Sequence, residues 1–366
     1  MEKKYVSLIA AAEKKRKQAD YAEALKLFRQ ALAVSRKMQN PQATLDALLS
    51  IGDICRMIGS FDVAIAHYLE ALDMCDALED RLTSADAMVG LGLSLRALGS
   101  WADAVKLTAK AGAIYRKEQD AQGVAFAIWA EAGALRFGGK VPKAIARFQE
   151  AKGLFETVGY TSGVAYALCG LGGTHRLAGK FDASLAYYRE ANETFRMLKD
   201  RFGLAYSHCG IGNAYRMFYD FRKAMQHFAK AERLYGAIGD IVSYSYTIWS
   251  MATLFIMIGE YQRARREITQ AQKNFRKTKD PRGLIYCEMA LGQIDFLNGR
   301  REQALNRFQT ACAEAQAFDF GVERCHAETL INAADETAGY APRKQSSRYK
   351  RLGLDLDFVT IPFNIP

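Results

Sequence analysis

The sequence predicts an all-α fold, an α-solenoid of about eight helix–turn–helix repeats, and three observations carry that expectation. Six prolines in 366 residues, beside abundant Ala, Leu, Lys, Arg and Glu, favour helix throughout. Residues recur with a period of forty along the chain. Gly, Asp and Asn punctuate the period at fixed places, as helix stops and starts do.

Laid in rows of forty, Tyr21, Phe61, Trp101, Val141, Phe181, Phe221, Tyr261 and Arg301 share one column. Gly59, Gly99, Gly139, Gly179, Gly259 and Gly299 stand two places earlier, with Tyr219 the exception, and each glycine is placed to end a first helix in the left-handed conformation. Ten residues after the first column, Ala31, Ala71, Ala111, Ala151, Ala191, Ala231, Ala271 and Ala311 let a neighbouring helix approach closely. Gly52, Gly92, Gly172, Gly212 and Gly292 fall inside first helices, where glycine costs about 1 kcal/mol against alanine, so they are read as packing residues. Asn40, Asp80, Asp120, Asp200, Asp240 and Asp280 are N-caps of the next unit, and Pro41 and Pro281 follow two of them. Tyr160 and Phe320 depart from that column.

The glycines of residues 170–180 do not form a phosphate loop. Thr174 stands where the first glycine of that motif belongs, and Phe181 stands where its hydroxyl residue belongs.

The columns resemble the tetratricopeptide repeat (TPR) family, in which Leu-Gly is followed by Ala, an aromatic and Ala. Ile211-Gly212, Ala224, Phe228 and Ala231 match it fully; Leu171-Gly172, Tyr188 and Ala191 match with Ser184 in an alanine place. The resemblance spans about residues 4–340, and the forty-residue unit is similar to those of G-protein-modulator and spindle-adaptor proteins and of kinesin light chains. It departs from the family where an aromatic usually opens the motif, since Leu48, Met88, Ile128, Leu168, His208, Ile248 and Glu288 stand there. The resemblance implies a right-handed superhelix over residues 1–340, whose first helices line a concave groove for extended peptides.

On that face Arg16, Arg56, Arg96, Arg136, Arg176 and Arg216 form one column, with rungs roughly 10 Å apart at ordinary helix spacing. A second column holds Phe126, Tyr166, Tyr206, Tyr246 and Tyr286; a third holds Trp129, Cys169, Cys209, Trp249 and Met289. Gly133, Gly173 and Asn213 sit between them, and Asn213 offers an amide to a ligand backbone. Ile256 and Phe296 replace the arginine later on, so the groove is expected to be cationic toward the N-terminal side and apolar-aromatic toward the other. The expected ligand is an acidic, partly apolar extended segment of another protein, its carboxylates gripped bidentately by Arg56, Arg96, Arg136, Arg176 and Arg216. Tyr166, Tyr206, Tyr246, Trp249 and Tyr286 are the expected apolar contacts. Single-stranded nucleic acid is the alternative, since a positive groove with aromatics suits it too, but Asp46, Asp53 and Asp86 share the face.

No enzyme is expected. The five histidines fall in repeat helices, and Cys325 and His326, being adjacent on a helix, point apart. Seven scattered cysteines form no metal-ligand spacing or Cys-x-x-Cys pair and suit a reducing compartment, and no cofactor motif occurs. With no run of eighteen apolar residues and no secretory leader pattern, a cytoplasmic chain without membrane insertion is expected. Part of the net charge of +10 comes from residues 343–351. They open a tail, residues 341–366, that runs basic and then apolar. The tail is expected either to be disordered or to dock, by capping the last repeat, laying Asp355 and Asp357 on a groove, or joining a second copy.

Overall fold

In a computed structural model of the chain, which describes residues 1–335, 348–356 and 361–366, seventeen α-helices run from α1 (Glu2–Lys17) to α17 (Gly321–Ala334). The described residues contain no strand and no helix long and apolar enough to cross a membrane. Each repeat pairs an odd-numbered first helix with an even-numbered second, as α9 (Thr161–Leu177) pairs with α10 (Phe181–Leu198) and is followed by α11 (Arg201–Met217).

The sequence columns explain why these pairs form and stack. Asn40, Asp80, Asp120, Asp200, Asp240 and Asp280 each accept a backbone N–H three residues on, which satisfies a donor the helix leaves open. Gly59, Gly99, Gly139, Gly179, Gly259 and Gly299 all have positive φ, and Tyr219 adopts the same conformation at φ 59°. The eight alanines are each fully buried. Tyr188 of α10 explains two glycines at once: its ring wedges between Gly172 of its own first helix and Gly210 of the next, where added methyl groups would strike it. Burying such a ring is worth roughly 2–3 kcal/mol, enough to outweigh the helical cost of the glycine beneath it.

The two departures from the cap column have apolar work instead. Tyr160 sets its ring on Phe155 at 5.6 Å, and Phe320, fully buried, stacks on Phe318 at 5.5 Å and meets Phe137 edge-on at 6.4 Å.

Phe137 and Phe320 lie far apart in sequence, and their contact belongs to a seam. Gly59 lies against Val242 and Thr278, Gly99 against Pro281 and Phe318, and Gly139 against Gly321 and Val322. Arg201 donates from Nη1 to the Gln18 carbonyl at 3.2 Å, and Lys279 pairs with Asp62. The turn inside one repeat meets the joints about four and a half and five and a half repeats later, so one superhelical turn closes onto the next. Where the seam would need a further repeat, Asp355 donates its N–H to the Ala178 carbonyl at 3.0 Å, and Leu354, Leu356 and Tyr349 pack with Val141, Leu177 and Val322. Residues 348–356 therefore continue the seam; Asp357 and the basic residues 343 and 344 lie outside the described residues.

Candidate functional site: the arginine-lined lumen

Closure of the superhelix leaves an internal cavity of about 1050 Å³. Its wall includes Arg16, Arg56, Arg96, Arg136 and Arg176 from successive first helices, together with Tyr166, Tyr206, Asn213, Tyr246, Trp249 and Tyr286. Arg201 and Arg282 join them, with Lys17 and Lys199, and among the described residues the acidic side chains on the wall are Asp53 and Asp200.

The rungs are not equivalent. Arg16 lies 2.8 Å from Glu13, and Arg56 lies 3.7 Å from Asp53, which also accepts the Tyr68 hydroxyl at 2.7 Å. Arg96, Arg136 and Arg176 have no ion-pair partner among the described residues, and the Nε of each, like that of Arg56, is buried with no acceptor. Burial, reinforced by Arg136, pushes the Arg96 guanidinium down to about 10. Glycines make room for two of them: a methyl group on Gly133 would strike Arg96, and one on Gly173 would come within 2.6 Å of the Arg136 Nη1. Arg96 also lies 5.2 Å from the centre of the Phe137 ring.

Arg216 differs from the expectation. Although it holds the next place in the column, it is fully buried beneath residues 361–366 and is absent from the cavity wall. Its Nη1 donates to Asn364 and its Nη2 to the Ile365 carbonyl at 2.7 Å. Asn213 is engaged as well: its Oδ1 accepts from the Arg216 Nη2 at 3.0 Å, and its Nδ2 donates to the Cys209 carbonyl at 3.1 Å.

The aromatic columns serve two purposes. Tyr166 and Tyr246 present rings to the cavity while their hydroxyls donate to Asp200 at 2.8 Å and Asp280 at 3.2 Å, the caps of the following first helices. Trp129 and Trp249 donate from Nε1 to the Tyr166 and Tyr286 carbonyls at 3.3 and 3.1 Å. These bonds join neighbouring first helices along the wall, from Trp129 through Tyr166 to Asp200 and from Tyr246 and Trp249 to Asp280 and Tyr286.

The expected division into a cationic end and an aromatic end is replaced by a single mixed site. Superhelical closure sets Arg282, of α15 (Pro281–Leu297), 4.6 Å from the other side of the wall at Phe137. Arg282 was outside every column, and no sequence signal marks it. Its charge is held by Glu323 and Tyr286, which outweigh the cost of its burial and raise its pKa.

Away from the lumen, His208 and His227 bring their Nδ1 atoms to 3.1 Å. His326 meets the Tyr349 hydroxyl at 2.9 Å. Among the described residues no cluster of His, Cys, Asp and Glu is arranged to hold a metal ion.

A family profile for the tetratricopeptide repeat matches residues 7–77 and 163–237. Among solved structures, the Rap conjugation gene regulator of the plasmid pLS20 in complex with the Phr* peptide aligns at a TM-score of 0.66 and 13% identity, over 86% of this chain and 95% of that one. NprR in complex with its cognate peptide NprX gives 0.62 at 13% identity, over 94% and 97%. A Rap protein complexed with Competence and Sporulation Factor gives 0.58 at 13%, over 96% and 99%. No curated protein matches the sequence. At these identities the likeness is one of fold.

Proposed function

The chain is a tetratricopeptide-repeat protein, and from that premise we propose that it is a non-catalytic adaptor whose lumen binds an acidic, partly apolar extended peptide segment. The observation that carries this reading is the set of three inward guanidiniums, on Arg96, Arg136 and Arg176, that have neither an ion-pair partner among the described residues nor an acceptor for the buried Nε. Buried donors without partners cost about 1–3 kcal/mol each, and charged ones more, so a site that leaves three in a row is made for an anionic partner.

An extended chain advances about 3.3 Å per residue, so carboxylates at every third position meet successive rungs. Each is gripped by a planar fork of N–H donors, with which carboxylates make charge-assisted, bidentate hydrogen bonds. Between them, apolar side chains rest on Tyr206, Tyr246, Trp249 and Tyr286, and Tyr166 walls the middle. Arg56, already shared with Asp53, contributes less than the next three. Because the seam closes the lumen sideways, a segment that enters through an end suits it better than an internal loop of a large partner. The peptides named in the complexes of NprR and the Rap regulators support a ligand of this kind on this fold.

The test is titration of fluorescein-labelled octapeptides carrying Glu at every third position against the wild type and Arg136→Gln/Arg176→Gln. We expect saturable binding that weakens at least tenfold in the folded double variant and falls with added salt. Equal binding by both proteins, or a preference for a labelled oligothymidylate over every peptide, overturns the reading.

A further inference from the structure

We propose that residues 361–366 are an intramolecular peptide ligand, and that the Arg216 end of the lumen is a recognition subsite for an extended apolar–Asn–apolar segment. The contacts are those of a receptor reading a peptide rather than of a loose end folded over apolar surface. Asn364 is read by both ends of its amide: its Nδ2 donates to the Arg216 carbonyl at 2.7 Å and its Oδ1 accepts from the Arg216 Nη1. The backbone on either side is read as well. The Phe363 N–H donates to the Gln293 Oε1, and the Ile365 carbonyl accepts from the Arg216 Nη2. Phe363 and Ile365, 1% and 0% exposed, join the apolar cluster that includes Trp249 and Phe255.

The repeat symmetry gives these contacts their meaning. Arg216 stands in the column of Arg96, Arg136 and Arg176, and Gln293 stands in that of Gly133, Gly173 and Asn213. At Arg216 Asn213 takes Nε and the segment takes the two Nη donors, so this rung is filled where the other three are not, and Pro366 reaches the cavity wall. The selectivity rests on Asn364. No other uncharged side chain except glutamine offers both a donor and an acceptor of amide geometry, and an apolar residue there would leave the buried Arg216 guanidinium and carbonyl each short of a partner. Burial, reinforced by Arg176, pushes that guanidinium down to about 9, and the segment shares with Asn213 the hydrogen bonds that hold it inside. Release of residues 361–366 frees the Arg216 Nη1, while Asn213 keeps Nε and Nη2, and lengthens the site for any ligand in the lumen. The subsite stands whether or not the other rungs bind acidic peptide, because its occupant is present in the chain.

The test uses the full chain and the labelled hexapeptide IPFNIP. Wild type, with the subsite filled, is expected to show no saturable binding. Phe363→Ala/Asn364→Ala, which weakens the internal copy, is expected to bind the hexapeptide, and to bind a version with alanine for the asparagine at least tenfold more weakly. Failure of the folded double variant to bind, or equal binding of the two hexapeptides, overturns the proposal. Should that variant not fold, hydrogen exchange on wild type decides. Millimolar IPFNIP must speed exchange of the Phe363 amide, which Gln293 holds, and the alanine version must not; equal or absent effects overturn it.

Discussion

The guanidinium of Arg136 lies over the α-carbon of Gly173 so closely that a methyl group there would meet Nη1 at 2.6 Å and the Tyr188 hydroxyl at 2.9 Å. Both contacts are with far ends of flexible side chains. Gly173→Ala therefore leaves stability within about 1 kcal/mol of wild type, the helical gain of alanine offsetting the displacement. Affinity for an acidic peptide is expected to fall about tenfold. Denaturant unfolding and titration calorimetry on the same variant check the two halves, and an unchanged affinity would mean that Arg136 does not touch the ligand.

Arg96 is charged, half-buried and unpaired, and Arg136 opposes it. Arg96→Leu relieves that cost while keeping apolar contact with Phe137. The thermal midpoint of the unliganded protein should rise by roughly 1–2 °C as peptide binding weakens. A lower midpoint would identify Arg96 as a structural rather than a ligand-directed residue.

His208 and His227 are both pushed down to about 4, by burial first, then by each other's charge at His208 and by Lys230 and Arg189 at His227. Folded values below the ordinary 6.5 mean that the stability of the neutral pair is complete above that pH and is lost as pH falls toward 4. The loss should be about 1–3 kcal/mol after allowance for solvent at these half-buried rings. His227→Gln should flatten the fall in thermal midpoint across that window. Asp280 works in the opposite sense, raised to about 6 by burial, so its cost is present above pH 6 and fades toward 3.8. Asp280→Asn should stabilise the protein at pH 8 and not at pH 4. A midpoint profile that neither substitution alters would remove these groups from the pH response.

Tyr219 holds the left-handed conformation that glycine takes in six equivalent turns, and it is 61% exposed. Tyr219→Gly removes backbone strain and loses only a ring contact with Phe221 at 5.8 Å. The expected gain is about 0.5–1 kcal/mol by urea unfolding. A loss would show that the contact with Phe221 outweighs the strain.

The local features of the fold were legible because each is decided by a few adjacent residues. Asp200 caps its helix, Gly179 ends one, and Ala191 sits at a crossing, and all three recur at period forty. The arginine column was legible for the same reason. Closure was not, because the superhelical pitch depends on small packing angles summed over several repeats. Hence the second role of Gly59, Gly99 and Gly139 as seam contacts was hidden behind their first as helix stops, and Arg282 gave no sign of reaching Phe137. The left-handed residues that end several second helices, such as Gln39, Glu79 and Lys279, also escaped notice, because polar residues there carry no glycine signature. Arg216 was identical in pattern to its neighbours, and only residues 361–366 set it apart.

The seam also changes how the array behaves as a thermodynamic object. An open solenoid couples each repeat only to its neighbours, so it tolerates the gain or loss of a unit and frays from its ends. Here the turns at Gly59, Gly99 and Gly139 are also clasped by joints in the next superhelical coil, as Gly99 is by Pro281 and Phe318. Removing one forty-residue unit would shift all later clasps out of register together, so chain length is constrained by geometry. Unfolding should accordingly approach a single all-or-none transition, with no stepwise unzipping from either terminus.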